Sequence, residues 1–487
     1  MRSLRFVELL AATAQVAVAH QKPTGPGADL SLEQAIQTAQ QNNPQFLQTK
    51  NNLRNADMGV KVARAALLPK LTGQAGTNYT SSGTQYQFGL PFTTQGSYNS
   101  YYQLGLQYSI NGALAFAPKA AAATRDAAQA TIRSNAELVR ATVTQDYIIA
   151  AEAEAQAAVM DTLVTVAQGN LDLANAKMEA GAGTIIDVRT AEVAVGQAQV
   201  NALTAHNTAQ VNKLQLYQAM GVPADINAHL TTTFAVATPT FTLDSVLDLA
   251  RRVNPDLAAK KSTEVAAAAN VKLAKTNYLP SLNLSTGYLA SAYGYADNNY
   301  LPARAAANQA LGFGNCMFLD SVRVGAGLAA QNCGSPTLTA DSLARIRATN
   351  QPFSFSRSPL SLQAYISIPI FNGFQREQGV EQNEVIRDNA AMDVRARDLQ
   401  LTTDVTQAYL NLVTAAKTVQ YQTQIAAKAA EDLSLNEESY KVGAKTFLDV
   451  TTARATYEQQ EIARVNSIYD YHKAFAALEN AVGRPLR

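Results

Sequence analysis

The sequence has no run of about 20 apolar residues beyond its first segment, so no membrane-crossing helix is expected. A membrane role would have to rest on a β-barrel, the other structure that leaves no backbone group unpaired in lipid. Neither sign of charge is in excess: 39 Lys and Arg face 38 Asp and Glu, for a net charge of +1. That balance argues against nucleic acid, which would need a basic face. Histidine is scarce, and His20, His206, His229 and His472 show neither metal-ligand spacing nor a carboxylate at motif distance. Gly181-Ala182-Gly183 and Gly325-Ala326-Gly327 lack the rest of a nucleotide fingerprint and read as turn or cap glycines. No hydrolase nucleophile motif is present. The chain is therefore not read as an enzyme, and no catalytic residue, metal or cofactor is expected.

Cysteine occurs only as Cys316 and Cys333, and its meaning depends on the compartment. Arg2 and Arg5 precede the mostly apolar stretch Phe6–Ala19, and Ala17-Val18-Ala19 fits a small-residue cleavage box, although Glu8 and Gln15 interrupt the run. Residues 1–19 read as an export signal, and no cysteine follows the box to carry a lipid anchor. In an oxidising compartment, with no nearby His or Cys to complete a metal set, Cys316 and Cys333 predict a disulfide.

The chain is internally duplicated. Leu32-Glu33-Gln34-Ala35, Asn43-Pro44 and Leu68-Pro69-Lys70-Leu71 recur in order as Leu243-Asp244-Ser245-Val246, Asn254-Pro255 and Leu279-Pro280-Ser281-Leu282, and both Pro pairs are 211 residues apart. Further on, Gly181-x-x-Thr184-x-x-Asp187-Val188 recurs as Gly443-x-x-Thr446-x-x-Asp449-Val450, an offset of 262 shared by Gly221 with Gly483 and by Tyr147 with Tyr409. The repeats occupy residues 30–222 and 241–484, joined by a linker over 223–240. The growth in offset places about 50 extra residues in the second repeat. They fall within 290–358, a segment holding both cysteines, Pro302, Pro336, Pro352, Gly312 and Gly314, which reads as a long loop.

Each repeat runs from helix, through its Asn-Pro, into a second helix, and then switches to period two. Tyr102, Leu104, Leu106, Tyr108 and Ile110 alternate with Gln103, Gly105, Gln107 and Ser109. Leu282–Tyr288 and Leu362–Ile370 alternate likewise, and Leu71–Thr80 does so more weakly. Alternation over about 10 residues fits a membrane-barrel strand, but equally a soluble sheet with one buried face. Proline is then absent between Pro118 and Pro223, and between Pro369 and Pro485, in stretches rich in Ala, Gln, Glu and Val. Those gaps predict sustained helix. Leu401, Val405, Ala408, Leu412, Ala415 and Val419 form a heptad seam, with Val139, Val143, Asp146, Ala150, Ala153 and Ala157 as counterparts. A helix over Ala113–Ala155 alone would be roughly 65 Å long, about twice the hydrocarbon thickness of a bilayer. It carries Arg125, Asp126, Glu137, Arg140 and Glu152, so it lies outside lipid. Asp187 and Asp449 are candidate N-caps, with Thr184–Ile186 and Thr446–Leu448 as candidate short strands.

This order of motifs, present twice and covering about residues 30 to 484, resembles the TolC-like outer-membrane efflux protein family. The resemblance implies an α+β membrane fold with an outer-membrane location. Each subunit of a homotrimer would give four strands to a 12-stranded β-barrel, and long coiled helices would form an α-helical periplasmic barrel. Four strands are too few to close alone, since small barrels need about eight. The resemblance also implies an equatorial collar built from Gly181, Thr184, Asp187, Gly443, Thr446 and Asp449. The chain would act as the passive exit duct of a tripartite efflux pump, beneath a periplasmic adaptor and an inner-membrane transporter. The same channel serving type I protein secretion is the alternative, and a periplasmic adaptor a more remote one. The 290–358 loop would be extracellular. The helices are expected to reverse near 150–160 and 412–422, which makes Glu152, Glu154, Glu431 and Asp432 candidate tunnel-entrance acids with raised pKa values.

Overall fold

The computed structural model describes residues 29–237 and 239–486; the export signal assigned to 1–19 lies outside them. The first half of the chain begins with β1 (Asp29–Leu30), α1 (Leu32–Asn42) and α2 (Pro44–Ala65). Four strands follow: β2 (Lys70–Thr80), β3 (Gly83–Gln87), β4 (Leu90–Thr94) and β5 (Ser97–Ile110). Then come α3 (Ala113–Glu179), α4 (Ile185–Met220) and β6 (His229–Leu230). The second half repeats the plan with α5 (Leu243–Val253), α6 (Pro255–Lys275) and β7 (Ser281–Tyr295). Next are α7 (Tyr300–Gly325), α8 (Ala340–Thr349), β8 (Ser356–Arg357) and β9 (Ser361–Ser367), and it closes with α9 (Gln375–Lys441) and α10 (Phe447–Val482). Two compact units result. Among the described residues, one runs from 29 to 59, from 121 to 268 and from 384 to the end of the described chain; the other comprises 60–120 and 269–383.

The first unit is helical, and its two halves are locked in the same way. Pro44 and Pro255 hold the preceding Asn43 and Asn254 extended, at ψ 120° and 118°, which ends α1 and α5. Each asparagine then turns its side chain to two tasks. Asn43 Oδ1 accepts from Phe46 N (3.0 Å) and its Nδ2 donates to Ala219 O (2.8 Å). Asn254 Oδ1 accepts from Leu257 N (2.9 Å) and its Nδ2 donates to Ala481 O (2.9 Å). The acceptors are at the ends of α4 and α10, where Gly221 (φ 74°) and Gly483 (φ 87°) adopt the left-handed conformation. A Cβ on Gly221 would lie 2.6 Å from Asn42 O, and one on Gly483 would lie 2.3 Å from Pro255 Cδ. Around these junctions Leu401, Val405, Ala408, Leu412 and Val419 are buried with Tyr471, Phe475 and Leu478. In the first repeat Val143 and Tyr147 are buried with Leu216, Tyr217 and Met220. Tyr147 donates to Leu30 O at 2.8 Å and accepts from Thr232 N at 3.1 Å, pinning the residues beside β1 and β6 to α3.

The second unit holds an antiparallel sheet in the order β2-β5-β7-β9, with the two-residue β8 beside the upper part of β7. Register sorts its side chains by face. Leu71, Leu106, Thr286 and Leu362 form one row, and Ile110, Leu282 and Ile366 another. On the opposite face run Lys70, Gln107, Ser285 and Gln363, and beside them Thr72, Gly105, Gly287 and Ser361. β9 stops at Ser367, short of the expected Ile370, because Pro369 has no N–H for the ladder. The β3–β4 hairpin, turning at Phe88 and Gly89 with positive φ, has no counterpart in the sequence reading.

Residues 290–358 are not the structureless loop expected. β7 extends to Tyr295, and α7 and α8 follow. Pro302 sits in the first turn of α7, where a missing N–H costs nothing, and Thr339 caps α8 by accepting from Ser342 N. Cys316 and Cys333 form a disulfide, with Cα atoms 5.6 Å apart.

Gly221→Ala and Gly483→Ala are each expected to destabilise the protein by about 2–4 kcal/mol, combining left-handed strain with overpacking. Gly181→Ala, with nothing within 4 Å of the new Cβ, carries the strain alone, about 1–2 kcal/mol. Denaturant midpoints that fail to separate these variants would contradict the lock. A thiol assay on unreduced, denatured protein should find no free cysteine.

Candidate functional site

Among the described residues no helix is long and apolar enough to cross a membrane, and no group of three His, Cys, Asp or Glu is placed to hold a metal. The chemistry-bearing features gather instead at the two places where the longest helices reverse. α3 and α9 each run 67 residues without a break, so nothing reverses near 150–160 or 412–422. Those segments are runs of strong helix formers with no cap or breaker. The reversals are the Gly-x-x-Thr-x-x-Asp segments themselves, which replaces the collar assignment with one at the hairpin tips.

The two tips are built alike. At the end of α3, Gly181 (φ 72°) turns the chain, and Ala182 N and Gly183 N donate to Lys177 O at 2.8 and 3.0 Å. At the end of α9, Gly443 (φ 79°) does the same, and Ala444 N donates to Ser439 O at 2.9 Å. Thr184 and Thr446, not Asp187 and Asp449, are the N-caps of α4 and α10. Thr184 Oγ1 accepts from Asp187 N (3.2 Å), while Asp187 Oδ2 accepts from Thr184 N (2.9 Å). Thr446 and Asp449 repeat this reciprocal pairing at 3.3 and 2.9 Å. The aspartates therefore occupy the third helical position of a capping box, and Ile185-Ile186 and Phe447-Leu448 are helical rather than strand. These hydrogen bonds from Thr446, backbone first, hold the Asp449 carboxyl below its ordinary range, with Lys445 nearby adding to the effect.

The tips pack on each other. Ala174, Val188 and Ala191 from the first hairpin share a buried cluster with Tyr440, Phe447 and Val450 from the second. The Lys177 ammonium sits 3.5 Å from the centre of the Tyr440 ring and donates to the Tyr440 carbonyl. Deeper along the hairpins, the buried Arg454 of α10 donates to Leu163 O of α3 at 2.9 Å, and burial lowers its pKa. The tips expose large apolar side chains, with Ile186 72%, Leu448 73% and Val442 81% exposed, beside the exposed charges of Arg189 and Lys445.

The four candidate entrance acids are elsewhere. Glu152 pairs with Lys473 (3.1 Å) and Glu154 with Lys213 (2.5 Å), tying α3 to α10 and to α4. Glu431 pairs with Lys428 (2.6 Å) within α9, and Asp432 Oδ1 accepts from Asn436 (3.2 Å). The hydrogen bond from Lys428 pulls the Glu431 pKa down, opposite to the rise expected for a crowded acid. These acids join helices or lie along them, and the structure does not bring them together at an entrance. Sequence reading had the reversal signal in hand, since glycine plus a capping box marks a turn between helices, but assigned it to a collar.

A family model described as outer membrane efflux protein matches residues 35–222 and 329–484. The chain is 28% identical over 263 residues to the toluene efflux pump outer membrane protein TtgF of Pseudomonas putida, covering 53% of each. It thus spans about half the length of that relative. It is 23% identical to the outer membrane protein TolC of Vibrio cholerae over 467 residues, 93% of this chain and 90% of that one. Its fold matches the solved structure of the outer membrane protein VceC from Vibrio cholerae with a TM-score of 0.65, at 17% identity, over 94% of this chain and 97% of that one.

Thr184→Ala and Thr446→Ala should each cost about 1 kcal/mol of local stability at their tips. For Asp449 the folded pKa is depressed, so its contribution is present above the ordinary carboxylate pKa and is lost as pH falls through the folded value. Hydrogen exchange at the start of α10, corrected for intrinsic rate, should therefore show faster opening at acid pH, and Asp449→Ala should remove the pH dependence. Exchange that is unchanged in both comparisons would contradict this assignment.

Proposed function

The chain belongs to the outer membrane efflux protein family, and from that premise we propose that it is the passive outer-membrane exit duct of a tripartite efflux pump. The family consists of outer-membrane channel proteins, and this chain resides in that membrane. The observation that carries the proposal is the four-stranded sheet with one apolar face, one polar face and two unpaired edges, β2 and β9, among the described residues. Apolar-face positions 282 to 290 of β7 span about nine residues, enough for a tilted barrel strand to cross lipid. Open edges in lipid are costly, so three copies close a 12-stranded barrel, with Gln107, Ser285 and Gln363 facing the lumen. The two sequence repeats, 30–222 and 241–484, each supply one helical hairpin to the periplasmic part.

The apolar tip surface, Ile186, Val442 and Leu448, is where a periplasmic adaptor docks, linking the duct to an inner-membrane transporter. Small toxic molecules are the cargo class, in keeping with the toluene pump component among the relatives.

Light scattering in detergent is expected to give a three-chain particle; a monodisperse monomer with intact strand signal would contradict it. Ile186→Glu with Leu448→Glu should abolish drug resistance conferred in an efflux-deficient host while leaving expression and membrane fraction unchanged. Full resistance would remove the tips from the adaptor interface.

A further inference from the structure

The apolar face of the sheet does not continue to its upper end. Ala290 and Ala292 of β7 and Ser100 of β5 are buried on that face, at 0%, 2% and 0% exposure. The opposite face at this level stays open, with Leu289 and Tyr293 exposed. The covering comes from 350–357, the end of the insert between β7 and β9. Asn350 Oδ1 accepts from Tyr295 N at 2.6 Å and closes over Gly294. Phe355 packs edge-on against Tyr102, with centroids 5.0 Å apart, and Phe353 lies beside Phe355 at 6.5 Å. Tyr102 in turn contacts Tyr288 at 6.1 Å. The 350–357 segment therefore lies on the apolar side of the sheet, while Tyr300 at the start of α7 meets Tyr295 on the opposite side, with centroids 4.5 Å apart.

Arg357 is placed by the same segment. It pairs with Ala290, so its side chain leaves the sheet on the apolar face, one row above Tyr288. It is exposed and forms no ion pair among the described residues. Lys70 and Arg357 are the only charged residues in the sheet's strands, and Lys70 lies on the polar face. A lone guanidinium on an apolar face, at the row where Tyr102, Tyr288, Phe353 and Phe355 gather, has the composition of a bilayer interface. Aromatic rings sit there at headgroup level, and a planar cation there meets phosphate.

We propose that Phe353, Phe355 and Arg357 form an outer-leaflet lipid site, in which the rings rest at headgroup depth and Arg357 binds the phosphate of an anionic lipid. The inference rests on reading the apolar face as the lipid-facing wall of the channel. The occupant is lipid rather than a protein because Phe355 rests on Tyr102, on the same face as the exposed apolar rows of Leu104, Leu106, Leu362 and Ile366 below it. The site's one charge is also complementary to a phosphate-bearing headgroup.

The chain contains no tryptophan, so Phe353→Trp in the full-length protein gives a single reporter. It would be reconstituted in phosphatidylcholine bilayers doped with lipid carrying brominated acyl chains. The introduced indole should be quenched, and brominated phosphatidylglycerol should quench about fivefold more effectively than brominated phosphatidylcholine, as expected for one basic contact at an anionic surface. Arg357→Gln should make the two lipids equivalent, Arg357→Lys should keep part of the preference, and inorganic phosphate should not compete. Equal quenching by both lipids with Arg357 present, no quenching, or competition by inorganic phosphate would each overturn the site. Should Phe353→Trp fail to assemble, the thermal shift of the wild-type protein on adding each lipid, compared with that of Arg357→Gln, decides the same question. Bilayer conductance of the same preparation separates the two readings. Conductance without a lipid preference overturns the site alone; absence of both overturns the channel as well.

Discussion

Each half of the helical unit depends on a glycine that cannot carry a side chain. Gly221 and Gly483 end α4 and α10 in the left-handed conformation and are pressed against Asn42 and Pro255. The asparagines at those junctions complete the contact by satisfying the carbonyls of Ala219 and Ala481. The junction of α1 with α2 is thereby docked onto the end of α4, and that of α5 with α6 onto the end of α10. Without the lock, α1 and α5 would have only their narrow buried faces, Ala35 and Ala39 in one and Val246 and Ala250 in the other. That an added Cβ would clash, at 2.6 and 2.3 Å, at equivalent points of both halves makes the close approach a construction rule of the fold.

The tips are held by a different device. They are two short turns, capped reciprocally by Thr and Asp through side chain and backbone. Ile186, Val442 and Leu448 face outward beside these capped turns. Exposed apolar side chains on firmly capped turns suit protein docking better than ion conduction. Of the acids farther along the helices, Glu152, Glu154 and Glu431 are occupied by lysines and Asp432 by Asn436, and Lys213 and Lys473 bind one helix to another. Glu152 and Glu154 thus tie helix to helix, while Glu431 and Asp432 are engaged within α9.

Much of this was legible in the residues. The duplicated Asn-Pro and Leu-Pro landmarks placed α1, α2, α5 and α6, because proline acts on its neighbour through sterics alone. The period-two rows Tyr102–Ile110 and Leu282–Tyr288 became paired neighbours in one sheet. The heptad seam Leu401–Val419 is buried, apart from the half-buried Ala415. What failed did so for identifiable reasons. Helix length cannot be read where Ala-rich sequence continues without a breaker, so the reversals were placed some 25 residues early. Their true site was marked by Gly181 and Gly443, since only a left-handed residue lets the chain double back there. The insert was read as a loop from its Gly and Pro content, yet Pro302 opens a helix and Gly312 and Gly314 lie inside it. The closing of Asn350 over Gly294 joins residues 56 positions apart through tertiary packing, which no local pattern announces.

The central claim is that this sheet is one third of a closed wall, joined to its neighbours through β2 and β9. A cysteine at Thr72 of β2, combined in turn with single cysteines across Ser361–Ser367 of β9, tests it most directly. The two native cysteines are already paired and do not interfere. Oxidation in the native membrane should give, for at least one register, a covalent ladder between chains that ends at three. Cross-linking within a single chain, or no linkage at any register, would contradict the account.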